Sequence, residues 1–387
     1  MFIRSFTWGK ADLSWSPVME RLLRAAEGRG HKVSLLSTNG YDGMDYWTAE
    51  RSAAAAAEID AARASAPFDI DITYTIPFNF PQRFLSDSRV KIGRFDYESS
   101  VLPKFFRQNI NFPDYVVGSS RFVADVFCNA GAHPDKVKII HSGVDRSIFN
   151  EDVPPLDVQK LGISGKPFVF LAVAEPHYRK QLDRLLKIYC ERFSASDDVV
   201  LIIKTKLFAP GDKRQGFEQD IRPHLAALKS KYGAAMPQIR ILGKRLPSLA
   251  ALYRAAHAFC LPTAGEGWGM PFLEAMSCGA LVIAPEYGGQ VDFLNHNNAM
   301  LCPVKILPAL PQEQYGTHPA AQLNWKNILD MPKGVVGRPD EAVFGDMMRR
   351  AYESYDSCID PLRVNMRATA DRFTWDAAAQ QMLELAK

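Results

Sequence analysis

The chain has 387 residues, 47% hydrophobic and 23% charged, with a formal net charge of +3. That length suits two domains of ordinary size, and the near-even charge excludes a broadly basic nucleic-acid protein while leaving a local basic groove open. No apolar run approaches the roughly 18 to 20 residues that span a bilayer, and the N-terminus "MFIRSFTWGK" has no signal-peptide layout. The six cysteines form no CxxC pair and the eight histidines no HExxH, so neither a disulfide framework nor a metal site is predicted. A reduced, cytoplasmic setting is expected.

In chain order, "MFIRSFT" reads as a strand, "PVMERLLRAAEGRG" as an amphipathic helix closed by Gly30, and "HKVSLLSTN" as a strand. A helix through 49–65 follows, then strands "DIDITYTIP" and "RVKIGRFDYE", a helix near 99–109, strand "YVVGSS", helix "RFVADVFCNAG" and strand "KVKIIHSG". The weakly periodic stretch 144–167, rich in Pro, Gly and Asp, is expected to connect two domains. The alternation then restarts: strand "FVFLAVA", helix "LDRLLKIYCERF", strand "DVVLIIKT", a helix near 217–232, strand "QIRILG", helix "PSLAALYRAAH", and strands "AFCLPT", "ALVIAPE" and "AMLCPV". Residues 304–338 break the rhythm as a loop excursion, and two helices, 340–355 and 374–386, end the chain. Nearly all-apolar strands separated by helices predict an α/β fold with parallel sheets covered on both faces.

The densest signal is "GEGWGMPFLEAMSCGALVIAPEYGG" at 265–289, in which seven residues separate Glu266 from Glu274. It follows a strand ending at Thr263, Pro271 suits a helix start, and Gly279 suits its end. In open α/β sheets ligands gather where strands end and helix N-termini point their N–H groups outward. Gly265, Gly267 and Gly269 let the backbone come close and take unusual dihedrals. Phe272, Leu273 and Met276 are expected to form the buried face, which turns Glu274 and Ser277 elsewhere. A bare phosphate has no use for two carboxylates, but a phosphate carrying sugars does, since each carboxylate accepts charge-assisted hydroxyl hydrogen bonds. The plainer alternative is that both acids merely complement a helix N-terminus.

"EGWGMPFLE" with "AMSCGALVIAPEYGG" resembles the E-x7-E signature of retaining glycosyltransferases of the GT-B fold, in particular glycosyltransferase family 4. The resemblance runs over nearly the whole chain. "SSRFVADVFCNAGAHPDKVKIIHSGVD" is similar to the family's close of its first domain, "VAEPHYRKQLDRLLKIY" to its phosphate-binding turn, and "FTWDAAAQQMLELA" to its closing helix. It implies two Rossmann-like domains facing each other across a cleft: an acceptor-side domain at 1–148, a linker at 149–166, a donor-nucleotide domain at 167–372, and a closing helix at 373–387 that packs back on the first domain.

By that resemblance Glu274 holds the donor ribose, Glu266 contacts the transferred sugar, and the N–H groups of Gly267, Trp268, Gly269 and Met270 line sugar and phosphates. Lys180, with Arg179 beside it, matches the basic turn that neutralises the leaving diphosphate. The family usually carries a further arginine upstream of that lysine, which this chain lacks, and Arg179 is the candidate substitute. Gly9 and Lys10 stand where the family has its glycine loop near the diphosphate, although the usual glycine pair is reduced to one. Asp96, Tyr97 and Glu98, at the end of a strand, are candidates for acceptor or sugar contact or for structural roles. "DID" (69–71) has the form of a metal-binding DxD but sits in an apolar strand.

The implied activity is transfer of a hexose from a nucleotide-diphosphate sugar to a hydroxyl acceptor, with no cofactor and no essential metal. The acceptor is a glycan, a lipid-linked or a small molecule, with a hydroxymethylated DNA base as a minority choice. "LPKFFRQNI" leaves peripheral membrane or nucleic-acid contact open, and "IRSFTWGKADLSWS" with "FDYESSVLP" is similar to bacteriophage-encoded members. Rivals are a catalytically silent sugar-nucleotide or glycan-binding module, a dehydrogenase, whose GxGxxG lacks its third glycine here, and a sugar phosphorylase, whose cofactor lysine is not located.

Overall fold

A computed structural model describes residues 1–8, 15–38, 68–84, 87–207, 220–244, 246–310 and 334–387. The expected helix at 49–65, Gly9, Lys10 and most of the 304–338 excursion lie outside the described residues. The described chain forms two compact units, one running from Met1 to Gly143 and completed by Phe373–Lys387, the other running from Val144 to Arg372.

The first unit is built on a parallel sheet of six strands in the order β2-β1-β3-β4-β5-β6, with β1 Phe2–Trp8, β2 Lys32–Thr38, β3 Ile70–Tyr74, β4 Val90–Arg94, β5 Tyr115–Gly118 and β6 Val137–Ile139. All five residues of β3 are buried, so Asp71 within it needs a partner. The register sets it opposite Arg4 of β1, whose Nη2 lies 2.5 Å from Asp71 Oδ2, and Ser88 Oγ adds a bond at 3.2 Å. Asp69 accepts the Phe2 N–H at 2.8 Å. Both acids of the DxD-like triplet are thus committed to holding the sheet together.

The helix expected near 99–109 is a single turn, Lys104–Arg107. Pro103 biases the residue before it away from helical dihedrals, Gln108 is extended, and Asn109 takes φ of 66°, so the turn cannot grow either way. Phe106 from "LPKFFRQNI" is buried, edge-on to Phe95 at 5.8 Å and Tyr97 at 6.1 Å, and so serves the core. The terminal helix Trp375–Glu384 is capped by Thr374 and held by Arg29, whose guanidinium bonds both Asp376 oxygens at 2.7 Å.

The second unit repeats the plan with β7 Phe168–Val173, β8 Val199–Lys204, β9 Gln238–Leu242, β10 Ala258–Cys260, β11 Leu281–Pro285 and β12 Met300–Cys302, in the parallel order β12-β11-β10-β7-β8-β9. Antiparallel strands β13 Val304–Pro308 and β14 Val335–Pro339 flank the undescribed 311–333. Two helices that periodicity did not reveal, Tyr355–Ile359 and Arg363–Arg372, follow Glu341–Glu353. Arg363–Arg372 buries only Met366 and Ala370, one i,i+4 pair, which is too sparse a stripe to read as a helix. The stretch after Val144 packs on this unit: Arg146 Nη1 bonds Ser277 O at 2.8 Å, Ser277 Oγ bonds Phe149 O at 2.5 Å, and Leu156 N bonds Ala251 O at 2.8 Å.

Gly143 closes the first unit. A Cβ there would lie 2.1 Å from Trp375 N and 2.2 Å from Thr374 C, both backbone atoms that cannot swing aside. Gly143→Ala is expected to cost about 1 to 3 kcal/mol, as overpacking does. Urea denaturation checks this, and an unchanged midpoint contradicts the close approach.

Candidate active site

In the second sheet the chain runs from β7 to β8 on one side, while β10 lies on the other side of β7. The strand order therefore reverses between β7 and β10, the place where an open parallel sheet leaves a crevice beyond its carboxyl ends. The loop after β7 carries Glu175, His177, Arg179 and Lys180, and the loop after β10 carries Thr263 to Gly269. The two are stitched together: Ala264 N–H donates to Arg179 O at 2.7 Å and Thr263 Oγ1 to the same carbonyl at 3.2 Å.

Glu266 is the meeting point. Lys180 Nζ lies 2.5 Å from its Oε1 and Arg179 Nη1 3.3 Å from its Oε2, with all three side chains almost buried. Burial alone would push this carboxyl up, but Lys180 first and Arg179 next outweigh burial and hold it below the ordinary carboxylate range. Arg179 also donates to Gly265 O at 3.0 Å, which fixes its guanidinium along the loop. Two cations on one carboxylate leave a net positive charge at this turn, which is suited to an anion.

The helix after this loop is Met270–Ser277, with Gly269 at its N-cap and Pro271 in its first turn. Of the three loop glycines only Gly269 takes a left-handed φ, 91°, and a Cβ there would meet Phe272 Cδ2 at 2.9 Å. Gly267, Trp268 and Met270 sit between Glu266 and the helix start, and Trp268 is buried against Phe293 with ring centroids 4.8 Å apart. Gly288, at φ of 92°, lies so close to the Glu266 backbone that a Cβ would be 3.1 Å from both its N and O, while Gly289 N–H donates to Glu266 O at 2.7 Å.

Glu274 and Ser277 do not turn away from the core. Every residue from Phe272 to Ser277 is buried. The helix is covered on one side by Tyr253 and Phe259, and on another by Arg146 and Phe149 from the stretch after Val144, a coverage that helical spacing cannot register. The buried Glu274 carboxylate is satisfied at Oε2 by the Tyr253 hydroxyl, 3.1 Å away.

In the first unit, Asp96 follows β4 and accepts the Tyr74 hydroxyl, Ser119 N–H at 2.8 Å and Ser119 Oγ at 2.6 Å. Tyr97 is buried beside Phe95 and Phe106, and Glu98 is half-buried. The structure thus brings Arg179, Lys180 and Glu266 together on the second unit, with Glu274 on the adjoining helix, and places Asp96, Tyr97 and Glu98 on the first. Sequence reasoning missed Tyr253, which reads as a core aromatic, and gave no role to Gly288 and Gly289, although the pair ends the stretch singled out at 265–289.

It also missed a charged support for the basic turn. Glu175 lies 2.6 Å from Lys206 Nζ and 3.3 Å from His177 Nε2, and His177 O accepts Lys180 N–H at 2.9 Å. Burial raises the Glu175 carboxyl, but His177 and Lys206 together more than reverse that and bring it down to about 2. Burial lowers His177, with Arg179 and Lys180 adding to the effect against Glu175. A depressed carboxyl contributes stability above its unfolded pKa and loses it as pH falls through its folded pKa. The gap in unfolding free energy between wild type and Glu175→Gln is therefore expected to hold above about pH 4.5 and to close as pH falls toward about 2. Denaturant titrations along that range check it, and a gap that widens on acidification contradicts the pairing.

Residues 167–311, which hold Arg179, Lys180, Glu266 and Glu274, match the family model described as Glycosyl transferases group 1. The chain is 25% identical over 195 residues to a D-inositol 3-phosphate glycosyltransferase of Segniliparus rotundus, covering 49% of this chain and 42% of that protein. It is 24% identical over 261 residues to one of Jonesia denitrificans, covering 65% and 51%. The chain thus spans about half the length of the curated relatives it matches. Among solved structures, Anabaena HepE in complex with UDP and glucose superposes with a TM-score of 0.68 at 14% identity over 100% of this chain and 99% of that one. A glycosyltransferase from Rickettsia africae gives 0.70 at 14% identity over 100% and 97%. The fold is GT-B, and its 167–311 segment is similar in sequence to group 1 glycosyl transferases.

Proposed function

We propose that the protein is a retaining glycosyltransferase that moves a hexose from a nucleoside diphosphate sugar to a hydroxyl acceptor. The observation that carries this reading is the convergence of Lys180 and Arg179 on Glu266 at the strand-order reversal, beside a helix N-terminus. Cations fixed in a buried loop stabilise a leaving diphosphate better than water does, because they need no reorganisation as charge develops. In this reading Lys180 and Arg179 take the diphosphate, the N–H groups of Gly267 to Met270 line it, Glu266 accepts hydroxyls of the transferred sugar, and Glu274 accepts those of the ribose.

The bond between the anomeric carbon and the phosphate oxygen breaks, and the acceptor oxygen bonds to that carbon from the same face. The acceptor proton passes to the departing phosphate oxygen, so charge and atoms balance without a covalent enzyme intermediate. Lys180 and Arg179 supply the positive charge that a metal supplies elsewhere, so the transfer requires none. HepE, which holds UDP, supports a uridine donor as the first to test. The inositol phosphate relatives support a polyol hydroxyl as acceptor.

Lys180→Ala is expected to lower turnover at saturating donor by roughly a hundredfold or more, the scale of losing one preorganised charge-stabilising contact. Steady-state kinetics with circular dichroism as the fold control measure it, and near-wild-type turnover in a folded variant removes the diphosphate from this turn. Glu274→Gln keeps the buried shape but removes the charge, and should weaken nucleoside diphosphate binding by about 1.5 to 3 kcal/mol. Calorimetric titration decides, and unchanged affinity removes the ribose assignment.

A further inference from the structure

We propose that Tyr253 is a positioning residue that aims the Glu274 carboxylate and so gives the site its preference for a ribonucleotide. The inference rests on the reading of Glu274 as the ribose-binding acid and adds a residue that this reading does not contain. Tyr253 lies in the helix Leu249–Ala255 and is fully buried, and its hydroxyl makes one hydrogen bond, to Glu274 Oε2 at 3.1 Å. A phenylalanine would fill the same ring space, so the hydroxyl is there for the carboxylate.

The ring has no freedom to turn elsewhere. Phe149 stands edge-on to it at 6.0 Å and Phe259 packs at 5.8 Å. The next residue, Arg254, ties the same helix to Cys278 O at 3.2 Å and to Val153 O at 3.3 Å, so the helix bearing Tyr253 is fixed against the helix bearing Glu274. Burial first and the Glu274 charge second push the phenol well above its ordinary value, which keeps it a donor at every working pH. A glutamate has several rotamers, and ordering one costs entropy at the moment of binding unless it is already fixed. Anchoring Oε2 restricts the rotamers open to the carboxylate. A cis-diol, with two adjacent hydroxyl donors, is the group that gains most from a fixed carboxylate, because charge-assisted paired bonds demand a set geometry. A deoxyribose offers one donor and gains less.

The test titrates whichever of UDP, GDP and ADP binds most tightly, together with its 2′-deoxy and 3′-deoxy forms, into wild type, Tyr253→Phe, Glu274→Gln and the double variant. Wild type should prefer the ribonucleotide. Tyr253→Phe should shrink that preference by roughly fivefold to tenfold, the scale of a weakened hydrogen bond to a charged group, and should raise the donor KM more than it lowers kcat. The double variant should lose no more preference than Glu274→Gln alone, since the two act as one unit. A preference abolished by Glu274→Gln but intact in Tyr253→Phe overturns the inference and leaves the ribose reading standing. A preference intact in Glu274→Gln overturns the ribose reading itself, as does a wild type that binds none of the three.

Discussion

The site depends on one buried carboxylate held by two cations from a neighbouring strand's loop. Glu266 follows β10, while Arg179 and Lys180 follow β7, and the contacts at 2.5 and 3.3 Å join the two loops where the sheet reverses its order. Removing Glu266 would leave two buried cations facing each other without their shared counter-charge, so the carboxylate is what holds the two loops together. In the proposed reading that fixed arrangement has a chemical use. Charges fixed in advance favour a transition state in which negative charge grows on a departing phosphate.

Around this centre the backbone is shaped to permit close approach. Gly269 at φ of 91° starts the Met270–Ser277 helix, and Gly288 at 92° lets a second loop lie against Glu266. The basic turn is steadied from behind by Glu175, which spans His177 and Lys206. Glu274, one helix turn further on, is steadied from within the core by Tyr253. Each of the two acids of the motif is thus held by another element of the same unit, Glu266 by cations and Glu274 by a phenol.

Much of this was legible in residue order. The apolar strands and their helices announced two α/β units, and the stretch from Glu266 to Glu274 does lie between a strand and a helix with Pro271 in its first turn. What stayed hidden depended on partners remote in sequence. The helical spacing of Phe272, Leu273 and Met276 shows one buried face, but Tyr253 and the stretch through Arg146 and Phe149 bury the others, so Glu274 and Ser277 are interior. The helix Arg363–Arg372 was silent because two buried residues make no stripe. The helix expected near 99–109 is cut to the single turn Lys104–Arg107 by Pro103 before it and by the left-handed Asn109 after it, and the latter is a backbone state that residue order does not show. Asp71 resembled a metal ligand in sequence because its partner Arg4 lies on another strand, matched only by the sheet register.

The central claim is that this cluster breaks the bond between a sugar and a nucleoside diphosphate. The most direct measurement follows release of the diphosphate from UDP-glucose, GDP-mannose and ADP-glucose, with water as the fallback acceptor, in wild type and in Glu266→Gln. The account predicts slow release from at least one donor by wild type and its near-complete loss in a folded Glu266→Gln. Release that persists undiminished in that variant, or a wild type that consumes none of the donors, would contradict it.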